Sequence, residues 1–141
     1  MTRRSNLNLL ALLFMLVAPV ASGCRSYAAN VMKMNAEGGN VDIQILNEGL
    51  QNDLQLASGQ VAYEGDILVG RATIRNQEDD KIPYEYRWRW YDSDNMEIAI
   101  GGGGEAWAKK FANPLEEVEV DGHAVRPGAV RTEFQLRYAA E

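Results

Sequence analysis

Histidine and cysteine, which often serve as metal ligands, bases or nucleophiles, each occur once in this 141-residue chain. His123 follows Glu119 and Asp121 closely, and an imidazole near two carboxylates could hold a metal ion or move a proton. A zinc framework needs more Cys or His ligands, and no serine or cysteine nucleophile accompanies the histidine. We therefore predict no metal site, no catalytic residue and no enzymatic activity, and we interpret His123 as a turn residue after Asp121-Gly122.

Two short segments contain the residue types of ion-binding loops without their spacing. Asp92-Ser93-Asp94-Asn95 begins like a calcium loop, but Glu97 and Gly103 stand where an EF-hand has its glycine and its final carboxylate. The glycines at 101–104 lack the Lys-Ser/Thr that follows the glycines of a phosphate-binding loop. The first segment predicts a hairpin turn, the second a flexible or sharply bent loop, and neither predicts a cofactor.

Arginine is the side chain with the clearest recognition chemistry here, because its planar guanidinium can bind a carboxylate through two hydrogen bonds. Six arginines occupy odd positions in three segments whose even positions are predicted to face a core: Arg71, Arg75, Arg87, Arg89, Arg131 and Arg137. If the three segments lie in one sheet, an acidic protein has a basic outer face. The simpler interpretation is a ladder of cross-strand ion pairs with Glu85 and Glu133. The functional interpretation is a surface that binds an acidic partner through Arg71, Arg87, Arg89 and Arg131.

The single cysteine, Cys24, follows a segment with the features of a secretory signal. Two arginines precede an apolar run at residues 9–18 that is too short to span a bilayer, and small residues lead to Cys24. Ala-Ser-Gly-Cys resembles the lipobox of bacterial lipoproteins, although the lipobox favours Leu at the position of Ala21. The resemblance implies removal of residues 1–23 and lipid attachment to Cys24. Ordinary cleavage after Ala21 is the alternative, but it would leave a free thiol, a liability in an oxidising compartment.

The charge of the mature chain limits its partners. Without residues 1–23 the chain has 12 basic and 20 acidic side chains, a formal charge of −8. This balance argues against nucleic acid and against electrostatic adhesion to anionic lipids. By analogy with lipoprotein sorting, Arg25 after the cysteine favours the outer membrane, so we expect a lipid-anchored protein that faces the periplasm.

The elements that position the arginines are predicted to be strands. Residues 84–91 alternate aromatic and charged side chains with the period of two that is typical of a half-buried strand. Its four inward aromatics, Tyr84, Tyr86, Trp88 and Trp90, need a second layer to cover them. Residues 68–76 repeat the alternation with smaller inward residues, so the two strands should pair or lie close together.

Further strands are predicted at 41–45, 54–63, 97–100, 118–120 and 130–138, the second of them bent or bulged at Ser58-Gly59. Residues 106–111 could form a helical turn or a strand. The pattern predicts an all-β, immunoglobulin-like antiparallel β-sandwich of about seven strands. Its domain order is a signal peptide at 1–23, a lipidated N-terminus and tether at 24–40, with at most a short edge strand near Val31, and the sandwich at 41–141.

Three motifs carry a family resemblance. Ala72-Thr73-Ile74-Arg75-Asn76, Tyr86-Arg87-Trp88-Arg89-Trp90-Tyr91-Asp92 and the downstream Trp107 resemble the YcfL-like family of small bacterial lipoproteins. The likeness covers about residues 60 to 138 and the leader, although Asn95-Met96 stands where the family usually has a glycine. It implies a two-layer β domain that faces the periplasm, and it implies no settled activity.

These observations predict a non-catalytic binding module for an envelope protein or a cell-wall component. The alternative is a carbohydrate-binding module for peptidoglycan, with Trp107 and a neighbouring tyrosine as a stacking platform. A sugar binder should expose two aromatic rings side by side. A protein-docking domain should instead present an apolar or charged patch with a free strand edge.

Overall fold

The computed structural model describes residues 27–99 and 105–140. Within them the chain forms nine strands and one short helix: β1 (Asn30–Asn35), β2 (Val41–Gln44), α1 (Glu48–Asp53), β3 (Leu54–Glu64), β4 (Ile67–Asn76), β5 (Ile82–Tyr91), β6 (Glu97–Ile98), β7 (Ala108–Ala112), β8 (Glu117–His123) and β9 (Arg131–Tyr138). The predicted signal peptide, Cys24 and the glycines at 101–104 lie outside the described residues. No helix in the described ranges is long and apolar enough to cross a membrane.

The strands form two antiparallel sheets, which confirms the predicted sandwich. The larger sheet has the order β2-β1-β9-β5-β6, and β7 pairs with the start of β5 on the same side as β6. The smaller sheet has the order β3-β4-β8. The described part of the chain thus has two strands more than the seven predicted, namely β1 and β7.

The core between the sheets is built on β5. Trp88 and Trp90 are 3% and 1% exposed, so the predicted inward face is confirmed for both indoles. Trp88 lies against Gly70 of β4 and Gly122 of β8, in the opposite sheet. The expectation that β4 lies close to β5 is therefore confirmed, but the two strands face each other across the core and do not pair. The Trp88 indole needs space between the two sheets, and Gly70 and Gly122 provide it because they lie in the facing sheet and have no side chain.

The predicted tether is wrong for residues 30–35, because β1 lies between β2 and β9 inside the larger sheet. Met32 and Met34 are fully buried, and the folded domain therefore begins at Asn30 or earlier rather than at residue 41. Methionine is a weak sequence signal for a strand, and β9, the main partner of β1, lies about a hundred residues further along the chain. A pairing between segments so far apart in the sequence cannot be predicted from local sequence patterns.

The Asn47 side chain accepts the Leu50 amide and begins α1, a helix that the sequence pattern did not predict. Two local predictions are corrected and two are confirmed. Asp121-Gly122, predicted as a tight turn, lies within β8, and His123 ends that strand opposite Val69.

The confirmed predictions concern β3 and the hairpin turn, and the structure also decides between the two alternatives for the segment of β7. The register of β3 shifts between Leu56 and Ser58, as expected of a bulge. Residues 108–112 resolve the ambiguous segment into a strand. The Asp92 carboxylate accepts the amides of Asp94 and Met96 at 3.0 and 2.9 Å, the side-chain-to-backbone bonds of a tight turn.

Candidate anion-binding face of the larger sheet

The six outward arginines lie on two sheets, so the condition for a single basic face is not met. Arg71 and Arg75 belong to β4 of the smaller sheet, whereas Arg87 and Arg89 lie on β5 and the last two on the adjacent β9 of the larger sheet. The outward direction is confirmed for all six, because the inward neighbours on each strand fill the core. The sandwich separates the two sets because it places β4 opposite β5.

The arginines of the smaller sheet are already paired with carboxylates of β8. Arg71 Nε lies 3.3 Å from Asp121 Oδ1, and Arg75 Nη2 lies 2.6 Å from Glu117 Oε2, with all four side chains about half exposed. Glu119 stands between these two acids on β8 and faces Thr73. This outer face therefore has more carboxylates than arginines. Because it is not cation-rich, Arg71 is not part of the candidate site.

Three of the four arginines on the larger sheet also have carboxylate partners. Arg137 contacts Glu85 at 2.7 Å, which is the predicted cross-strand pair. Arg131 contacts Glu133 of its own strand at 2.8 Å. Arg89 contacts Glu97 of β6, an acid that the sequence analysis did not select. These side chains are 13–30% exposed, so the pairs are better shielded from water than those of the smaller sheet.

Arg87 is the exception on this face. Its Nε donates to Gln135 Oε1 at 2.7 Å, and no carboxylate of the described residues pairs with it. It lies between two other cations, since Arg89 is next on the same face of β5 and Arg137 is its diagonal neighbour on β9. Burial, and then the charges of Arg89 and Arg137, lower the pKa of Arg87. The charge of Glu97 acts in the opposite direction but makes no salt bridge with Arg87. An arginine stays protonated at neutral pH, so this position holds a partly buried charge without a carboxylate in contact among the described residues.

Two aromatic side chains hold the guanidinium groups in place. The Trp107 ring centroid lies 4.5 Å from Cζ of Arg87 and 3.9 Å from Cζ of Arg137. Tyr91 contacts Arg131 in the same way at 3.8 Å, and its hydroxyl donates to Glu133 at 3.2 Å. Such stacking orients a guanidinium and reduces the conformational freedom it loses on binding. Sugar stacking by Trp107 was expected only for the alternative function, and no role was predicted for Tyr91, although Tyr91 has the same odd parity as the outward arginines.

The sequence placed six arginines beside two glutamates, Glu85 and Glu133. On the outer face of β5, β6 and β9 the structure has four arginines and three glutamates. Two lysines extend the positive surface, because Lys33 of β1 faces Glu133 and Lys109 of β7 faces Glu85. Asp42 of β2 faces Lys33 and adds one acid. The face therefore has six cations and four carboxylates on a chain whose formal charge is −6, with the unpaired charge at Arg87.

The other candidate residues do not assemble into a site. His123 is exposed at the end of β8, on the smaller sheet. Among the described residues no group of three or more His, Cys, Asp or Glu side chains could hold a metal ion. The exposed aromatic rings Tyr27, Tyr63 and Phe111 lie on three separate segments, and among the described residues no ring contact joins any two of them.

The fold and this surface define a small antiparallel β-sandwich domain with a cation-rich face. Residues 41–138 match the family model described as "Protein of unknown function (DUF1425)", and the chain belongs to this family. The match begins at β2, so β1 precedes it. No curated protein matches the sequence.

Two solved structures share the fold. A DUF1425 family member from Shewanella sp. pv-4 is 18% identical, with a TM-score of 0.56 over 83% of this chain and 95% of that one. Campylobacter jejuni cj0090 is 12% identical, with a TM-score of 0.52 over 63% of this chain and 88% of that one. At these identities the likeness concerns the fold alone.

Proposed function

We propose that this protein is a non-catalytic lipoprotein, anchored through lipid on Cys24 to the outer membrane and facing the periplasm, which binds an acidic segment of another envelope component. The resemblance to YcfL-like lipoproteins, carried by the β5 motif and the leader, is part of this proposal. The binding surface is the outer face of the larger sheet, with Arg87 at its centre. Arg89 and Arg131 contribute to its positive potential.

The unpaired guanidinium of Arg87 is the observation that carries the binding function. Each neighbouring arginine forms an ion pair with a glutamate, namely Glu97, Glu133 or Glu85. A carboxylate from a partner would form the same kind of ion pair with Arg87. Both Nη atoms are without an acceptor in the described chain, so a bidentate contact is available. Trp107 and Gln135 already orient the group, which reduces the ordering cost of binding.

The small free energy of a single arginine–carboxylate contact favours a macromolecular partner. A hydrogen bond to a charged group contributes only about 1.5–3 kcal/mol, so one carboxylate on Arg87 would bind weakly. An extended acidic segment could contact Arg87 and also gain from the potential of Arg89 and the two flanking lysines. The rival carbohydrate module receives less support, because Trp107 is engaged by two guanidinium groups.

Site-specific photo-crosslinking in living cells tests this function. A crosslinking residue replaces Lys109, which is exposed and lies beside Glu85 on the same face. The test variant is Arg87→Gln, and the matched control is Arg71→Gln on the smaller sheet. Loss of one charged hydrogen bond corresponds to at least about ten-fold weaker binding, so the Arg87→Gln adduct should largely disappear while the Arg71→Gln adduct persists.

Thermal unfolding of both variants must match the parent, so that loss of the adduct reports binding rather than folding. Adducts of undiminished intensity in Arg87→Gln would contradict the role of this face. Capture of glycan strands of the cell wall in place of protein would favour the carbohydrate alternative.

A further inference from the structure

The folded domain begins very close to the proposed anchor. Tyr27 is the third residue after Cys24, and a chain extends at most about 3.3–3.6 Å per residue. Tyr27 therefore lies within about 11 Å of Cys24, and Asn30 within about 22 Å, whatever path the intervening chain takes. Because β1 begins at Asn30 inside the larger sheet, no long tether separates the sandwich from the anchor.

The end of the sandwich nearest the anchor exposes apolar side chains. Tyr27 is 55% exposed, Leu46 57% and Ile45 37%. Tyr27 lies on the segment that leads into β1, while Ile45 and Leu46 lie on the segment that leaves β2, the strand paired with β1. These three residues, which we call the anchor-proximal patch, therefore belong to two adjacent segments.

Two buried asparagines hold these segments together. Asn30 Oδ1 accepts the amides of Leu46 and Asn47 at 2.9 and 2.8 Å, and Asn30 Nδ2 donates to the Asn47 carbonyl oxygen at 3.0 Å. Asn47 Nδ2 in turn donates to the carbonyl oxygen of Ala28 at 3.5 Å. Asn30 is fully buried, so these bonds are shielded from water. The backbone therefore holds the apolar side chains of the patch outward.

We propose that the anchor-proximal patch rests in the headgroup layer of the bilayer that holds the lipid anchor, an inference that depends on the proposed lipidation of Cys24. The headgroup region is about 5–8 Å thick on each side, a depth that Tyr27 can reach from the anchored residue. Tyrosine favours this layer because its ring is apolar and its hydroxyl remains hydrated.

The anchor also removes the need for high intrinsic affinity. It fixes the domain at the surface, so contact of the patch with the bilayer becomes an intramolecular event at high effective concentration. The contact requires no attraction to anionic lipid, which suits an acidic protein.

Depth-dependent fluorescence quenching of the full-length, lipidated protein tests the inference. Lipidation consumes the thiol of Cys24, so Leu46→Cys and, separately, Met96→Cys each provide the single site for a fluorophore. Met96 is 65% exposed and lies close to Tyr91. On β9, Tyr91 pairs with Arg131 and Asn30 pairs with Leu136, which is five residues further along that strand. Met96 is therefore about 15–20 Å further along the strands, at the opposite end of the sandwich.

The protein is reconstituted into phosphatidylethanolamine–phosphatidylglycerol vesicles that contain lipid with a nitroxide on the headgroup. We expect strong quenching at position 46 and little at position 96. Adding Tyr27→Ser and Ile45→Ser to the Leu46→Cys protein should weaken the quenching without changing co-flotation with vesicles, since both side chains are exposed and Cys24, the lipidated residue, is unchanged.

Three outcomes would overturn the inference. Equal or absent quenching at the two positions, in protein that co-floats, would show that the patch does not touch the bilayer and would leave the anchor intact. Protein that does not co-float would refute the anchor and the inference together, while binding through Arg87 would stand. Fluorescence of the label at position 46 that depends on protein concentration in detergent, without vesicles, would show that a second copy of the chain covers the patch.

Discussion

Gly70 of β4 and Trp88 of β5 lie in contact across the core, with no room for a side chain between them. A Cβ atom at Gly70 would lie 2.5 Å from Cζ3 of Trp88. Gly122 is placed in the same way beside the other edge of the indole. The spacing of the two sheets at the centre of the molecule thus depends on two residues that have no side chain.

We predict that Gly70→Ala destabilises the domain by about 1–3 kcal/mol, because the added methyl group overpacks the core against a rigid ring. Denaturant unfolding provides the measurement. Gly49→Ala is the matched control, since a methyl group there meets its nearest atoms at ordinary distances of 3.5 and 3.9 Å within α1. Alanine suits a helix better than glycine, so this control should lose no stability. Equal losses in the two variants would contradict the packing argument.

The second prediction concerns two tyrosines whose hydroxyl groups differ in their partners. The Tyr84 hydroxyl is buried and has no hydrogen-bond partner in the described structure, and burial raises its pKa to about 12. The Tyr138 hydroxyl donates to Asp53 Oδ2 at 2.6 Å. We expect Tyr84→Phe to be neutral or to stabilise by up to about 1 kcal/mol, and Tyr138→Phe to cost about 1.5–3 kcal/mol. Urea midpoints at unchanged m-value would compare the variants, and a larger loss in Tyr84→Phe would show that its hydroxyl has a partner.

The third prediction concerns Glu97 and Glu105, whose contributions to the free energy of unfolding should change with pH in opposite directions. The hydrogen bond from Arg89 lowers the pKa of Glu97. Its contribution is therefore present above the unfolded pKa of about 4.3 and is lost as the pH falls through the folded value. Burial raises the pKa of Glu105, despite the hydrogen bond from Trp90 Nε1 at 3.3 Å. Its unfolded form loses the proton first, so stability falls as the pH rises from the unfolded pKa to the folded one.

Unfolding of Glu97→Gln and Glu105→Gln between pH 3 and pH 7 would separate the two groups. Relative to the parent, Glu105→Gln should gain stability as the pH rises, and Glu97→Gln should lose it. Parallel curves for both variants would contradict the assignment.

The fourth prediction concerns the anchor. If Cys24 is lipidated, Cys24→Ala should leave the protein unprocessed or release it from the outer membrane, because the acyl chains supply the membrane affinity. Fractionation of cells and the mass of the mature N-terminus provide the readout. A Cys24→Ala protein that is cleaved and still fractionates with the outer membrane would refute lipid anchoring.

The sequence alone determined the class of fold and the facing of its central strands. Side chains of a strand alternate between its two faces, so the parity of residues 84–91 and 130–138 was sufficient to place Trp88 inward and Arg87 outward. The bulge in β3 and the Asp92 turn were also predictable, because glycine, aspartate and asparagine act through local backbone geometry.

Only the tertiary structure decided which strands share a sheet and which charges meet. Parity specifies the face of a strand but not its neighbours, so the sequence could not separate Arg71 from Arg87 or show that β1 lies inside the larger sheet. The same limit applies to the candidate site. The register between β5 and β9, whose paired residues are 40 or more positions apart, places Glu85 beside Arg137 and leaves Gln135 opposite Arg87. Glu97 reaches Arg89 through the local β5–β6 hairpin, and Glu133 lies on the same strand as Arg131.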